Sequence, residues 1–374
     1  MGSEAQHISP DERRDRLRLI RSQNIGPVTF QALMRHFGTA AAALEGAVAL
    51  SRRSGGRAIR LAGREAAEAE MEALDRLGGR LIALGEPDYP PALAAVPDPP
   101  PLIQTMGNAD LTLGDCLGIV GARNASAAGR RFARDMAAEL GRAGLIVVSG
   151  MARGIDTAAH EGAMAYGTVA VVAGGVDVVY PAENRALYDG LLEKGAVVSE
   201  QPLGTQPTAR HFPPRNRLIS GISLGVLVVE AAPRSGSLIT ARMALEQGRE
   251  VFAVPGSPLD PRYRGTNGLI RDGAVLTETA GDILAPLEGM RKSAKSIPAK
   301  YPETLLQPVD ISEENETSRD RGRIVGLLGP IPVSVDELLR ECQLSPAVVM
   351  TVLLELELAG RLERHPGNQV SLVS

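Results

Sequence analysis

The residue types best suited to chemistry cluster between His211 and Gly256, in HFPPRNRLISGISLGVLVVEAAPRSGSLITARMALEQGREVFAVPG. Arg215, Asn216 and Arg217 precede an apolar run, Leu224 to Val229, that reads as a buried strand. The small-residue turn Arg234-Ser235-Gly236-Ser237 follows and opens onto a helix carrying Thr240. A guanidinium fork suits a phosphate, and a helix N-terminus adds free backbone N–H groups and the positive end of its dipole. No nucleophile or base is evident beside them, which points to binding a phosphodiester chain rather than cutting it. Glu230, the one carboxylate close by, either fixes an arginine in place or is the sole candidate for acid–base work.

Three further loops share this character. Gly121-Ala122-Arg123-Asn124-Ala125-Ser126 leads into a helix, but it is neither the G-x-G-x-x-G dinucleotide fingerprint nor followed by a Walker lysine. Arg123 places a permanent charge where that fingerprint would have only backbone. Ser149-Gly150-Met151-Ala152-Arg153-Gly154 comes next, and its glycines let the chain approach a ligand closely. Asp156 either caps the helix that follows or holds a neighbouring arginine. His160, one turn later, has no partner at triad or metal spacing and reads as a hydrogen-bonded structural histidine. Gly174-Gly175 ends a third strand, with Asn184 and Arg185 opening the next helix. No catalytic residue, metal site or cofactor is assigned.

These loops need a scaffold that aligns them. Apolar runs at Leu117–Val120, Leu145–Ser149, Thr168–Ala173, Ala196–Ser199, Gly225–Val229, Glu250–Val254 and Ala274–Leu276 alternate with helical segments. One such segment, Ala127–Leu140, puts Phe132, Met136 and Leu140 on one face. That alternation predicts a parallel, doubly wound α/β sheet with ligands at its carboxyl edge. Leu81–Leu84 and Leu102–Met106 are candidate extra strands.

Composition narrows the function. The 374 residues are 44% hydrophobic, enough for two or three domains and too much for a disordered chain. Net charge is −4, so a polyanion site must be a local patch on an acidic background. Aromatics are only 3% and Trp is absent, so nucleic-acid contact should lean on arginine, lysine and amides rather than on stacking platforms. Cys116 and Cys342 lie far apart without metal-ligand spacing and read as reduced thiols. No signal peptide or membrane span is evident, which predicts a cytoplasmic protein.

The chain ends differ from the middle. Leu17, Ile20, Ile25, Phe30, Leu33, Met34 and Phe37 recur at helical spacing around Asn24-Ile25-Gly26-Pro27. Two readings stand: a helix-hairpin-helix offering amides to DNA, or a plain helical bundle packed on the main domain. Residues 291–318 read as a linker. Three short helical patterns and a two-strand wing then follow in winged-helix order, around His365-Pro366-Gly367-Asn368. The third helix carries Glu355 and Glu357 but no basic residue before Arg361, so it predicts protein packing rather than DNA reading. The expected domains are 1–78, 79–290 and 319–374.

Taken together, GARNASAAG, SGMARGIDTAAHEGAM, VAVVAGGVDVVYPAENRAL, VVSEQPLG, HFPPRNRLISGISLGVLVVEAA, SGSLITARMALEQGREVFAVPG and GTNGLIRDGA resemble the bacterial DNA-processing protein A (DprA/Smf) family. The resemblance implies an extended Rossmann-like domain flanked by a helical, sterile-alpha-motif or helix-hairpin-helix-like domain and a winged-helix-like domain. It implies a dimer that binds single-stranded DNA, protects incoming strands in natural transformation, displaces single-strand-binding protein and helps load the RecA recombinase. Its motifs fall on Arg123, on Ser149 to Asp156 and on Arg215 to Arg217. With the residues read above, the expected single-strand site comprises Gly121, Arg123, Ser126, Ser149, Gly150, Arg153, Gly154, Gly174, Gly175, Asn184, Arg215, Asn216, Arg217, Ser235, Gly236, Ser237 and Thr240. A more distant resemblance, to Rossmann-like nucleotide phosphoribohydrolases, is the enzymatic alternative, but SGSLITA lacks the acid of their PGGxGTxxE signature.

Overall fold

The computed structural model describes residues 8–53, 59–294, 314–365 and 368–373. Most of the expected linker lies outside the described residues, as does the Pro366-Gly367 turn of the wing. The described residues divide into two compact units, one spanning residues 70–294 and the other joining residues 8–69 to the C-terminal part from residue 314.

At the N-terminus, helices α1 (Pro10–Ile20), α2 (Pro27–Phe37) and α3 (Ala40–Arg53) form a bundle, followed by α4 (Arg64–Arg76). Ser9 caps α1 through the Glu12 N–H, and Pro10 and Pro27 occupy first turns, where a missing N–H costs nothing.

The sheet unit begins with β1 (Arg80–Ala83), the short α5 (Pro91–Ala94) and β2 (Leu102–Gly107). Next come β3 (Cys116–Gly121), α6 (Ala127–Arg142), β4 (Ile146–Ser149), α7 (Ile155–Ala163), β5 (Thr168–Val171), α8 (Arg185–Lys194) and β6 (Ala196–Ser199). The unit continues through α9 (Phe212–Ile222), β7 (Gly225–Glu230), α10 (Gly236–Glu246), β8 (Glu250–Ala253), α11 (Arg264–Arg271), β9 (Val275–Leu276) and α12 (Gly281–Ala294).

The strands line up as β1-β2-β6-β5-β4-β3-β7-β8-β9. Seven run parallel, whereas β2 is antiparallel to β6 and β1 to β2. The expected parallel sheet therefore carries an antiparallel edge. Chain order reverses at β3 beside β7, the place where open α/β sheets bind ligands.

Alternation along the strands explains their continuous apolar runs. Val226 and Val228 of β7 enter the layer packed by α9 and α10, with Leu218, Ile219, Ala241 and Ala244. Leu227 and Val229 face the opposite layer, with Met136, Leu140, Ile155 and Ala159 of α6 and α7. A strand covered on both faces must be apolar at every position.

The C-terminal part contains α13 (Glu314–Leu327), β10 (Val333–Ser334), α14 (Val335–Cys342), α15 (Pro346–Leu358), β11 (Leu362–His365) and β12 (Gln369–Leu372). Its strands form a small antiparallel sheet in the order β10-β12-β11. Helix α15 is apolar nearly all round because two cores cover it. Val349, Val352, Leu353 and Leu356 pack with Ile324, Leu338 and Val370, whereas Leu354 and Leu358 join Ile25, Phe30, Leu33 and Leu44 of the N-terminal bundle. The Asn24 side chain also donates to the Leu358 carbonyl at 3.3 Å. Of the two readings, a DNA-facing hairpin or a plain bundle packed on the main domain, neither foresaw that α15 of the winged helix contributes to the bundle's core. Glu355, fully buried, is bound by Arg321 at 2.5 Å, which answers the puzzle of an acidic third helix.

Candidate functional site

Successive βα loops meet at the carboxyl edge of the parallel strands. There they border a cavity of about 350 Å³ that adjoins a larger groove of about 860 Å³. Arg123, Asn124, Ala152, Tyr180, Pro207, Phe212 and Arg215 line both. The groove continues past Asn216 to Arg234, Ser235, Gly236, Ser237 and Thr240 at the start of α10.

The RNR tripeptide lies inside α9, not in a loop before a strand. Phe212-Pro213-Pro214 starts that helix, with proline in its first turn. At about 100° per residue, positions two apart point to nearly opposite sides. Arg215, 6% exposed, reaches the cavity wall, where Nη1 donates to the Gly150 carbonyl at 2.7 Å and also to the Val171 carbonyl. Arg217 lines neither space. It donates to the Asp98 carbonyl at 2.9 Å and pairs with Glu200, tying two loops together. Asn216 lines the groove and donates to the Gly236 carbonyl at 3.4 Å.

Arg123 is exposed and its guanidinium stacks 5.0 Å from the centroid of the Phe212 ring. It pairs with no carboxylate among the described residues. Arg153 borders the cavity paired with Glu183. Sequence reasoning discounted aromatics by their scarcity, yet Tyr180 and Phe212 meet here at 5.9 Å between centroids. The visible signal was the Phe-Pro-Pro run beside the RNR motif.

Several expected contact residues shape the loops instead. Ser149 is fully buried and donates to the Ile119 carbonyl at 2.6 Å. Asn184 donates to the Met151 carbonyl at 2.9 Å, bracing a residue held at φ 57. Gly154 has φ 79, and a Cβ there would strike the carbonyls of Ala122 and Arg123. It therefore lets two loops touch rather than making room for a ligand. Gly174 lines the cavity, and Gly175 donates its N–H to the Thr205 carbonyl at 3.0 Å. Gly121 borders the groove, whereas Ser126 caps α6 through the Gly129 N–H. Ser235 caps α10 and its hydroxyl lies 2.7 Å from that of Ser237.

Among the described residues no arginine hydrogen-bonds to Glu230. Fully buried, it accepts from the Ser126 N–H at 2.9 Å, from the Ser126 hydroxyl at 2.6 Å and from Tyr263 at 3.1 Å. It lines neither space. Asp156 accepts from the Gly150 and Ala152 amides at 3.1 and 3.3 Å, and burial pushes its carboxyl up to about 6 against the pull of Arg215. Burial, with Arg215 adding to it, takes His160 down to about 3; its Nδ1 lies 2.8 Å from the Thr168 hydroxyl, the structural role expected of it. Burial also lowers Arg215 to about 10, so it stays charged at neutral pH.

Fold and site define a doubly wound α/β protein with an arginine-lined groove at its switch point and no dinucleotide fingerprint. The family model described as DNA recombination-mediator protein A matches residues 80–288. A DprA-like N-terminal HHH domain matches 10–73 and a DprA winged helix domain matches 312–368. Protein Smf of Escherichia coli K12 is 37% identical over 312 residues, covering 83% of this chain and 82% of its own. DNA processing protein DprA of Bacillus subtilis 168 is 45% identical over 215 residues, 56% of this chain and 72% of its own. The chain belongs to the DprA/Smf family. Among solved structures, DNA processing protein A of Streptococcus pneumoniae aligns with a TM-score of 0.60 at 33% identity, covering 72% of this chain and 95% of that one. DNA processing protein A of Helicobacter pylori, solved for its single-stranded DNA binding mode, aligns at 0.52 with 26% identity, covering 57% and 96%. No helix among the described residues is long and apolar enough to cross a membrane.

Proposed function

We propose that this protein is a non-enzymatic recombination mediator that grips single-stranded DNA along the carboxyl edge of its sheet. The observation that carries this reading is Arg123, a cation stacked on Phe212 and unpaired with any carboxylate among the described residues, beside Arg215 and the N-terminus of α10. Phosphates would meet Arg123, Arg215, Asn216, the Gly236 amide and the Ser237 hydroxyl, with Gly121, Arg153, Gly174 and Thr240 around them. Ser126, Ser149, Gly150, Gly154, Gly175 and Asn184 would hold the loops in place. Arg217 would act through the fold, since Asp98 and Glu200 already neutralise it. The single-strand binding mode described for the Helicobacter pylori relative supports the ligand class.

In the cell we place it in the cytoplasm, as a homodimer that shields incoming strands during natural transformation. There it would displace single-strand-binding protein and load the RecA recombinase. Titrating labelled oligodeoxythymidylate with the full chain tests the first step: affinity should fall steeply with salt, as counterion release requires. Absence of binding at low salt would refute the reading. Loading is tested by the ATPase of RecA on strands coated with single-strand-binding protein, which this chain should accelerate; no acceleration removes that role. Release of free base from nucleoside monophosphates would make it an enzyme.

A further inference from the structure

The buried groups behind the groove suggest how its charge is held. Asp156 opens α7 and is 6% exposed. It grips Gly150 by its N–H, while Arg215, arriving from α9, grips the carbonyl of the same residue. A Cβ on Gly150 would lie 2.6 Å from Arg215 Nη1 and 2.8 Å from Asp156 Oδ2, so only glycine lets the two groups close on this point.

We propose that Asp156 is a positioning residue for strand binding, shaping the β4–α7 loop and, through Gly150, holding Arg215 in place at the cavity wall. The proposal rests on the reading of the groove as a single-strand site. A buried guanidinium is costly unless an anion balances it, and Arg215 Nε has no hydrogen-bond partner. The other charge facing Asp156 is Arg123, from the β3–α6 loop, of the same sign as Arg215. On its own helix His160 stays neutral. Asp156 is therefore the carboxylate set against two cavity arginines.

The sign of the effect separates positioning from simple electrostatics. Removing a negative charge near a polyanion should tighten binding. Losing the group that positions Arg215 should weaken it. The Asp156 carboxyl titrates near 6, so mild acid performs the same removal in the wild-type protein.

The test is the affinity of the full chain for oligodeoxythymidylate at fixed salt, from about pH 8 to about pH 5, on either side of that titration. Wild type should weaken about tenfold toward acid. Asp156→Asn, which keeps an oxygen for the two amides, should bind weakly and evenly across the range. The wild-type salt slope should also drop by about one contact between the two ends. Tighter or unchanged binding by Asp156→Asn, a profile parallel to wild type, or an unchanged wild-type slope would overturn the proposal. The slope measurement stands even if the variant unfolds. No binding by wild type at pH 8 would overturn the groove reading itself, and this inference with it.

Discussion

The carboxyl edge of the large sheet and the helix α15 both look, in outline, like places where DNA would be read. They spend their polar groups in opposite ways. At the sheet edge, Arg123 stacks on Phe212 with no carboxylate partner among the described residues, and Arg215 keeps its guanidinium at a cavity wall. In the terminal unit, α15 is buried on two sides, and its Glu355 is bound by Arg321. Even the hairpin residue Asn24 is used within the chain, on the carbonyl of Leu358. Resemblance to a DNA-reading motif is thus a poor guide where the motif's own surface forms a core. Charge left without a counter-charge beside an open groove is a better one.

Breaking each region should give a different kind of loss. The largest effect is expected at α15, where Leu354→Ala removes a core side chain shared with the N-terminal bundle. It should cost about 2–5 kcal/mol of stability in denaturant titration, with strand affinity of the folded protein unchanged. A drop in affinity without unfolding would mean that α15 also contributes to strand binding. Gly154→Ala should come next, losing roughly 2 kcal/mol because the added Cβ meets the Ala122 and Arg123 carbonyls at a positive φ. Since Arg123 moves with that loop, affinity should fall too, and both are read from melting and oligonucleotide binding on the same sample.

The smallest but most specific effect compares two arginines. Arg123→Ala should weaken strand binding by about 1.4 kcal/mol, or tenfold, with little change in stability. Arg217→Ala should instead destabilise, because the ion pair to Glu200 and the bond to the Asp98 carbonyl are both lost, and should alter affinity by less than about threefold. The reverse pattern would move the site to the other face of α9.

The strands were legible because a sheet covered on both faces writes itself as uninterrupted apolar runs. The observed strands fall within one or two residues of those runs, from Cys116–Gly121 to Val275–Leu276. Loop chemistry was legible in kind, since glycine, serine and arginine at strand ends announce an anion-friendly edge. Which residue points where was not. Taking Arg215 to Arg217 as a loop hid the helical rotation that separates them, although Pro213 and Pro214 marked the helix start. Glu230 and Asn184 looked available until their partners, far along the chain, were in view.

By itself, then, the sequence determined the α/β class, the order of the elements and the family, because periodicity and motifs are local properties of the chain. The tertiary structure decided which cations remain free, which glycines serve loop packing, and what covers α15. Those outcomes depend on partners tens to hundreds of residues away: Arg215 with Gly150, Arg217 with Asp98, and Asn24 with Leu358. A side chain's charge is written in its own codon, but its counter-charge is supplied by the fold.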